Sequence, residues 1–144
     1  MSDRNSYLEH GREVRRAVLG SEHVDHSEAT RTPLNADFQD LLTRYAWGEI
    51  WSRKGLDRRT RSCITVAMLV ALNHPEELAL HLRGALRNGV SATELREVLL
   101  QTAVYCGFPA ARSAFRVAQE VLGEMADQPP GEEPQPDAGR GQRL

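Results

Sequence analysis

Glu77 and His81 are the residues of this sequence whose types and spacing most clearly suggest chemistry. They are four positions apart, so in a helix their side chains lie on one face. A carboxylate beside an imidazole orients the ring and holds its pKa near neutrality or above. Such a histidine can donate or accept a proton at neutral pH. We therefore predict that Glu77 and His81 form a general acid–base pair, with an ordinary surface pair on an amphipathic helix as the alternative.

A metal site is the second possibility for the same segment. His74, Glu77 and His81 would form one stripe along a helix. His74, however, precedes Pro75, which disfavours helical geometry at that histidine, and no second set of ligands is evident. We expect no metal ion. Gly84, about one turn after His81, leaves space either for a ligand or for a closely packed helix.

A cluster of arginines at the start of a predicted helix could receive an anion. Arg58, Arg59 and Arg61 follow Asp57, although the helix dipole favours acidic residues in a first turn. Free backbone N–H groups together with guanidinium groups bind carboxylates well. We predict that Arg58 and Arg61 bind a substrate carboxylate. Pairing with acids such as Asp57 or Glu49 is an equal alternative.

Two smaller groups have weaker signals. Arg15 and Arg16 form a second basic cluster in the first predicted helix. Trp47 and Trp51 share one helix face. A position in the core or in a subunit interface is favoured for them over a position that lines a substrate site.

The bulk composition excludes several classes of protein. The net charge is −2 and arginines alternate with acids, whereas nucleic-acid binding needs an unbalanced basic surface. No apolar run reaches the roughly 18 residues of a membrane span, and the first residues lack an apolar signal core. We expect a cytoplasmic protein. Cys63 and Cys106 belong to no CxxC pair, so reduced buried thiols are expected.

The elements that must position these residues are predicted to be helical throughout. No stretch alternates apolar and polar residues over a strand length, and no hairpin turn appears. We predict an all-α bundle of about six main helices. They run over 6–19, 36–51, 57–73, 75–88, 91–106 and from 109 onward.

Two further features complete the predicted organisation. The third of these helices is apolar on every side, so it is expected to be the central buried one. Short loops between the third and sixth helices indicate antiparallel neighbours.

The folded domain is expected to span 1–126. The segment 127–144, rich in Pro, Gly and Glu, is expected to be disordered.

Several segments resemble the carboxymuconolactone decarboxylase family. The resemblance covers about residues 7–124. The segments that carry it are Tyr45–Trp51, Gly55–Ser62, Glu77–Arg83 and Glu97–Gln101, with Arg15–Gly20 and His23–Asp25.

The resemblance implies an all-α, alkylhydroperoxidase D-like fold and a homo-oligomer, a hexamer or a trimer. It implies a carboxy-lyase of the protocatechuate branch of the β-ketoadipate pathway that needs no cofactor. The substrate would be a small anionic lactone, 4-carboxymuconolactone, converted to 3-oxoadipate enol-lactone and CO₂. On this hypothesis His81 delivers the proton and Glu77 orients it, while Arg58, Arg61 and Arg16 bind the carboxylates.

Two rival functions stay open at this point. Peroxide-reducing relatives carry a CxxC, but here His74 and Glu77 occupy the positions that resemble those cysteines, which argues against peroxidase or disulfide chemistry. A helical oligomer that binds such intermediates without converting them is the other rival.

Overall fold

The computed structural model describes residues 3–126, and every regular element in this part of the chain is helical. The predicted all-α class is confirmed. The predicted tail, 127–144, lies outside the described residues. The elements are α1 (Asp3–Leu19), α2 (Ser21–Ala29), α3 (Ala36–Leu42), a π-helix (Thr43–Trp51), α4 (Arg58–Ala71), α5 (Pro75–Arg87), α6 (Ala92–Cys106) and α7 (Phe108–Ala126).

Two elements differ from the sequence prediction. Helix α2 occupies a stretch expected to be loose, and Val24 is its only buried residue, so it has little of the apolar periodicity that marks an amphipathic helix. The predicted second helix is instead α3 continued without a break by the π-helix. The expected ends of α1 at Gly20 and of α6 at Gly107 are confirmed, because both glycines have positive φ.

The buried side chains form two groups, and α5 contacts both. The first group joins α1 to the π-helix through Val14, Val18 and Trp47, with Leu80 of α5 packed against it. The second group lies among α4, α5, α6 and α7. Helix α5 is therefore the element that faces both halves of the bundle. Its first turn begins at Pro75, a position where a missing N–H costs nothing.

Two glycines allow α1 and the π-helix to pack backbone against backbone. A Cβ added at Gly11 would overlap the carbonyl oxygen of Thr43, and one added at Gly48 would overlap that of Tyr7. Any larger residue at either position would force the two helices apart. This contact fixes where the π-helix presents its tryptophans.

The expectation that α4 is buried on every side is wrong for the described chain. Its buried residues, Ser62, Val66 and Val70, form a single face. Met68 and Leu72 on the other side are 51% and 64% exposed. The packed helices α5, α6 and α7 cover only one side of α4, so the all-round apolar pattern exceeds what this part of one chain buries. None of the helices within 3–126 is both long and apolar enough to cross a membrane.

Candidate active site around His81

His81 of α5 lies against two tryptophans of the π-helix. Its ring centroid is 6.2 Å from that of Trp47 and 6.1 Å from that of Trp51, with interplanar angles of 5° and 21°. The two indoles stack on each other at 5.0 Å. His81 is only 9% exposed and Trp47 only 4%. The imidazole therefore has an aromatic, largely dry environment.

Both indoles belong to the π-helix, four positions apart. Its wider hydrogen-bonded turn, from each residue to the fifth one along, is rare and frequently occurs at functional sites. Trp47 is buried in the group that joins α1 to the π-helix, and Trp51 packs against that group. The core role favoured from the sequence thus applies to Trp47. The same packing also places both rings beside His81.

Burial lowers the pKa of His81 to about 4, with a smaller contribution from the nearby charge of His23. The ring is therefore neutral at pH 7. The sequence-based expectation of a pKa near neutrality or above is wrong, because it assumed a solvated ring beside a carboxylate. Desolvation by the two indoles disfavours the charged form.

Glu77 does not make the predicted contact with His81. Glu77 is exposed in the first turn of α5, where the helix dipole stabilises an acid. Among the described residues no hydrogen bond joins it to His81, and its charge is not among the causes of the His81 pKa shift. Its charge acts instead on Arg15 and His23, raising the pKa of each against the effect of burial.

Arg15 of α1 belongs to the second basic cluster of the sequence, of which only Arg16 was predicted to bind substrate. Arg15 is 4% exposed. Its guanidinium donates to Oε1 of Gln39 at 3.2 Å and to Oγ of Ser27 at 3.5 Å, both neutral acceptors. Its Nε has no hydrogen-bond partner. Burial lowers its pKa, and although the charges of Glu28 and Glu77 oppose that shift, neither forms an ion pair with it.

A sequence signal for Arg15 did exist. Gly11, Val14, Arg15 and Val18 are the buried stripe of α1, at the spacing of one helix face. Arg16 lies one step outside that stripe and pairs with Asp25 at 2.8 Å. Reading the arginines against the apolar stripe would have selected Arg15 rather than its neighbour.

The structure does not bring Arg58 or Arg61 to His81. Arg58 is exposed at the start of α4, and Arg61 donates to the carbonyl of Arg53 at 3.3 Å. This end of α4 adjoins the end of α5, where Asn88 donates to Ser62 at 2.9 Å. At a rise of 1.5 Å per residue, Asn88 lies about 10 Å from His81 along the axis of α5. As carboxylate receptors, Arg16, Arg58 and Arg61 stay predictions.

His23 of α2 interacts electrostatically with both Arg15 and His81. Its pKa is lowered first by burial and then by the charge of Arg15, and its own charge acts on His81. His23 also lines a cleft of about 700 Å³ with His26, Arg83 and residues of α7. The cleft between α2, α5 and α7 therefore reaches a group that lies in electrostatic range of both Arg15 and His81.

The remaining candidates are placed as follows. Gly84 provides a close helix contact, since an added Cβ would lie 3.0 Å from the carbonyl oxygen of Val18. Within residues 3–126 no three His, Cys, Asp or Glu side chains are grouped as metal ligands. Cys63 and Cys106 are both free, and burial raises the pKa of the Cys63 thiol, which reduces its thiolate fraction.

Comparison with known proteins gives consistent matches. Residues 36–120 match the family described as the carboxymuconolactone decarboxylase family. The chain is 44% identical over 129 residues to 4-carboxymuconolactone decarboxylase of Acinetobacter baylyi, covering 90% of this chain and 96% of that protein. It is 42% identical over 120 residues to nitrosuccinic acid decarboxylase of Metarhizium robertsii, covering 83% and 84%.

Proposed function

The chain belongs to the carboxymuconolactone decarboxylase family, and from this premise we propose that it is a carboxy-lyase that releases CO₂ from 4-carboxymuconolactone. The product is 3-oxoadipate enol-lactone. The observation that supports this most strongly is the similarity to the Acinetobacter enzyme over nearly the whole of both chains. A buried, neutral imidazole beside two stacked indoles is the site feature that fits the chemistry.

The reaction needs an electron sink and a proton. When the carboxylate on the ring carbon leaves as CO₂, its bonding electrons move through the conjugated double bond onto the lactone carbonyl. The result is a dienolate, which takes one proton at the α-carbon to give the enol-lactone. Each turnover therefore consumes one proton, and the substrate itself accepts the electron pair. This is why we expect no cofactor.

His81 is our candidate for supplying that proton. In the free protein its ring is neutral, since burial holds its pKa at about 4. A substrate carboxylate bound beside an imidazole raises the pKa of that ring, so His81 takes up a proton together with the anionic substrate. It then donates this proton to the α-carbon after CO₂ has left. Trp47 and Trp51 exclude water from the ring and strengthen its interaction with developing negative charge.

Glu77 has a different role in this proposal from the one first predicted. It does not orient His81. Its carboxylate instead raises the pKa of Arg15 and of His23 against the effect of burial. The homo-oligomeric state, the cytoplasmic location and the roles of Arg16, Arg58 and Arg61 stay predictions.

Decarboxylation of nitrosuccinic acid is the second candidate, favoured by the 42% identity to the Metarhizium enzyme. A nitro group can accept the electron pair left by CO₂ as a nitronate, as the lactone carbonyl does as an enolate. Both substrates also keep one carboxylate when they lose the other. The same site chemistry would therefore serve either reaction.

Parallel assays with the two substrates test both candidates. The purified protein is incubated with 4-carboxymuconolactone or with nitrosuccinate, and CO₂ release is followed. We expect the higher kcat/KM with the lactone and no loss of rate after treatment with EDTA. A higher kcat/KM with nitrosuccinate would select the second candidate, and CO₂ release from neither would overturn both.

A further inference from the structure

We propose that Arg15 binds the carboxylate that the substrate keeps, and so selects dicarboxylate substrates. This inference rests on the proposed decarboxylase function and assigns a specificity-determining residue to the same site. Its basis is the state of Arg15 in the fold: a guanidinium that is 4% exposed and forms no ion pair within the described residues.

A buried guanidinium without an anion is costly to the fold. Removing a charge from water is unfavourable, and buried arginines generally pair with carboxylates, often through two parallel hydrogen bonds. Here the acceptors are the amide of Gln39 and the hydroxyl of Ser27, and Nε has no partner. These neutral groups hold the guanidinium in place without neutralising it. The N–H at Nε is a donor that lacks an acceptor, and a carboxylate would supply one.

The surroundings of Arg15 point to a ligand rather than to an internal partner. Glu28 and Glu77 lie close enough to affect its pKa, but both are exposed and neither contacts it. His23, which is close enough to Arg15 and to His81 for their charges to interact, also lines the cleft. A carboxylate on Arg15 would thus be held by charge, whereas the carboxylate near Trp47 and Trp51 would meet an apolar surface that favours loss of charge as CO₂.

The test is a binding titration that does not require turnover. Succinate is the probe, because it carries two carboxylates and no reactive centre. The chain has only two tryptophans, and both lie beside His81, so their fluorescence reports on the surroundings of that ring. Thermal shift gives a second readout. Propionate, with one carboxylate, is the matched weak ligand.

Three variants separate the possibilities. Arg15→Gln should raise the succinate Kd at least tenfold and raise KM more than it lowers kcat. Gln39→Glu keeps the arginine but supplies an internal carboxylate at the position that now accepts from it at 3.2 Å. It should raise the succinate Kd by a similar factor and increase the melting temperature. Arg12→Gln, an exposed arginine on the same helix, should leave the Kd unchanged.

Either of two results of the binding titration would overturn the proposal. One is wild-type-like succinate affinity in Gln39→Glu, which decides the question even where Arg15→Gln does not fold. The other is no succinate binding by the wild-type protein in both readouts. Succinate binding through Arg15 with no CO₂ released from either substrate would overturn the decarboxylase assignment alone, and full turnover with unchanged Arg15→Gln kinetics would overturn the receptor alone.

Discussion

The imidazole of His81 is the residue on which the proposed chemistry depends. Replacing it in His81→Gln keeps a polar side chain of similar size but removes the group that can take up and deliver a proton. We expect kcat for CO₂ release to fall by roughly 10²–10⁴-fold, with helicity retained in circular dichroism. His10→Gln is the matched control because His10 is half exposed on α1, and it should turn over as the wild type does. Unchanged turnover in His81→Gln would remove this residue from the mechanism.

The depressed pKa of His81 also makes stability depend on pH. Its pKa is 6.5 in an unfolded chain and about 4 in the fold, so between these values the unfolded state binds more protons. Stability therefore falls as pH drops from 6.5 towards 4, by up to about 1.4 kcal/mol per pH unit. Over the whole window the wild-type protein should lose about 3 kcal/mol more than His81→Gln.

Urea unfolding at several pH values between 7 and 4.5 measures this difference. His23, whose pKa burial also lowers, is present in both proteins, so its contribution largely cancels in the comparison. Parallel pH profiles for the wild-type protein and His81→Gln would contradict the burial of an uncharged ring at this position.

Residue types and spacing in the sequence identified His81 but not its surroundings. The i, i+4 spacing suggested that Glu77 would tune it, whereas the structure places Glu77 in the solvent-exposed first turn and two indoles against the ring. Those indoles come from an element some 30 residues earlier in the chain. Local spacing cannot report a contact made between distant segments, and the direction of the pKa shift follows from that contact.

Among the elements, the π-helix depends on a contact that leaves no local signature. The sequence predicted one continuous helix over this region, because apolar periodicity is nearly the same for α- and π-turns. The wider turn is accompanied by the backbone contact of Gly11 and Gly48 with the opposite helix. The apolar periodicity within a single helix does not reveal this contact between two helices.

Gly48→Ala tests that contact directly. The added Cβ would overlap the carbonyl of Tyr7, so α1 and the π-helix must separate, at a cost of about 1–3 kcal/mol. The tryptophan emission should change as well, because the indole stack moves with the helix. Gly123→Ala is the control: nothing lies within 4 Å of its added Cβ in α7, and it should raise stability by roughly 0.5–1 kcal/mol. Equal effects of the two substitutions in urea unfolding would argue against the close packing.

For the whole molecule, the helical class and most helix boundaries were readable from periodicity and capping residues. The caps at Asp57 and Ser91, for example, accept from the backbone N–H groups of Thr60 and Glu94 as their sequence patterns indicate. The burial of α4 was not readable, because an apolar pattern alone does not tell which of its faces the other helices of the same chain cover. A single chain leaves part of the apolar surface of α4 open.

The open apolar surface motivates our last prediction, that the protein forms a homo-oligomer through α4 and α6. Met68 of α4 and Leu72, the residue after its last turn, are more than half exposed, as are Val104 and Tyr105 of α6. Tyr105 and Ala67 line the same groove, so the two helices present one continuous surface. Exposed apolar patches of this kind mark protein–protein contacts. Met68→Glu places a charge within that surface, and burying it would be unfavourable.

Light scattering after size exclusion should therefore show a multiple of the 16.1 kDa chain mass for the wild-type protein and a lower mass for Met68→Glu at the same concentration. Arg12→Gln, which changes charge on α1 away from α4 and α6, should keep the wild-type mass. A wild-type protein that is monomeric at every concentration would contradict the prediction. So would an unchanged mass for Met68→Glu, since a buried carboxylate at the centre of this surface should not be accommodated without cost.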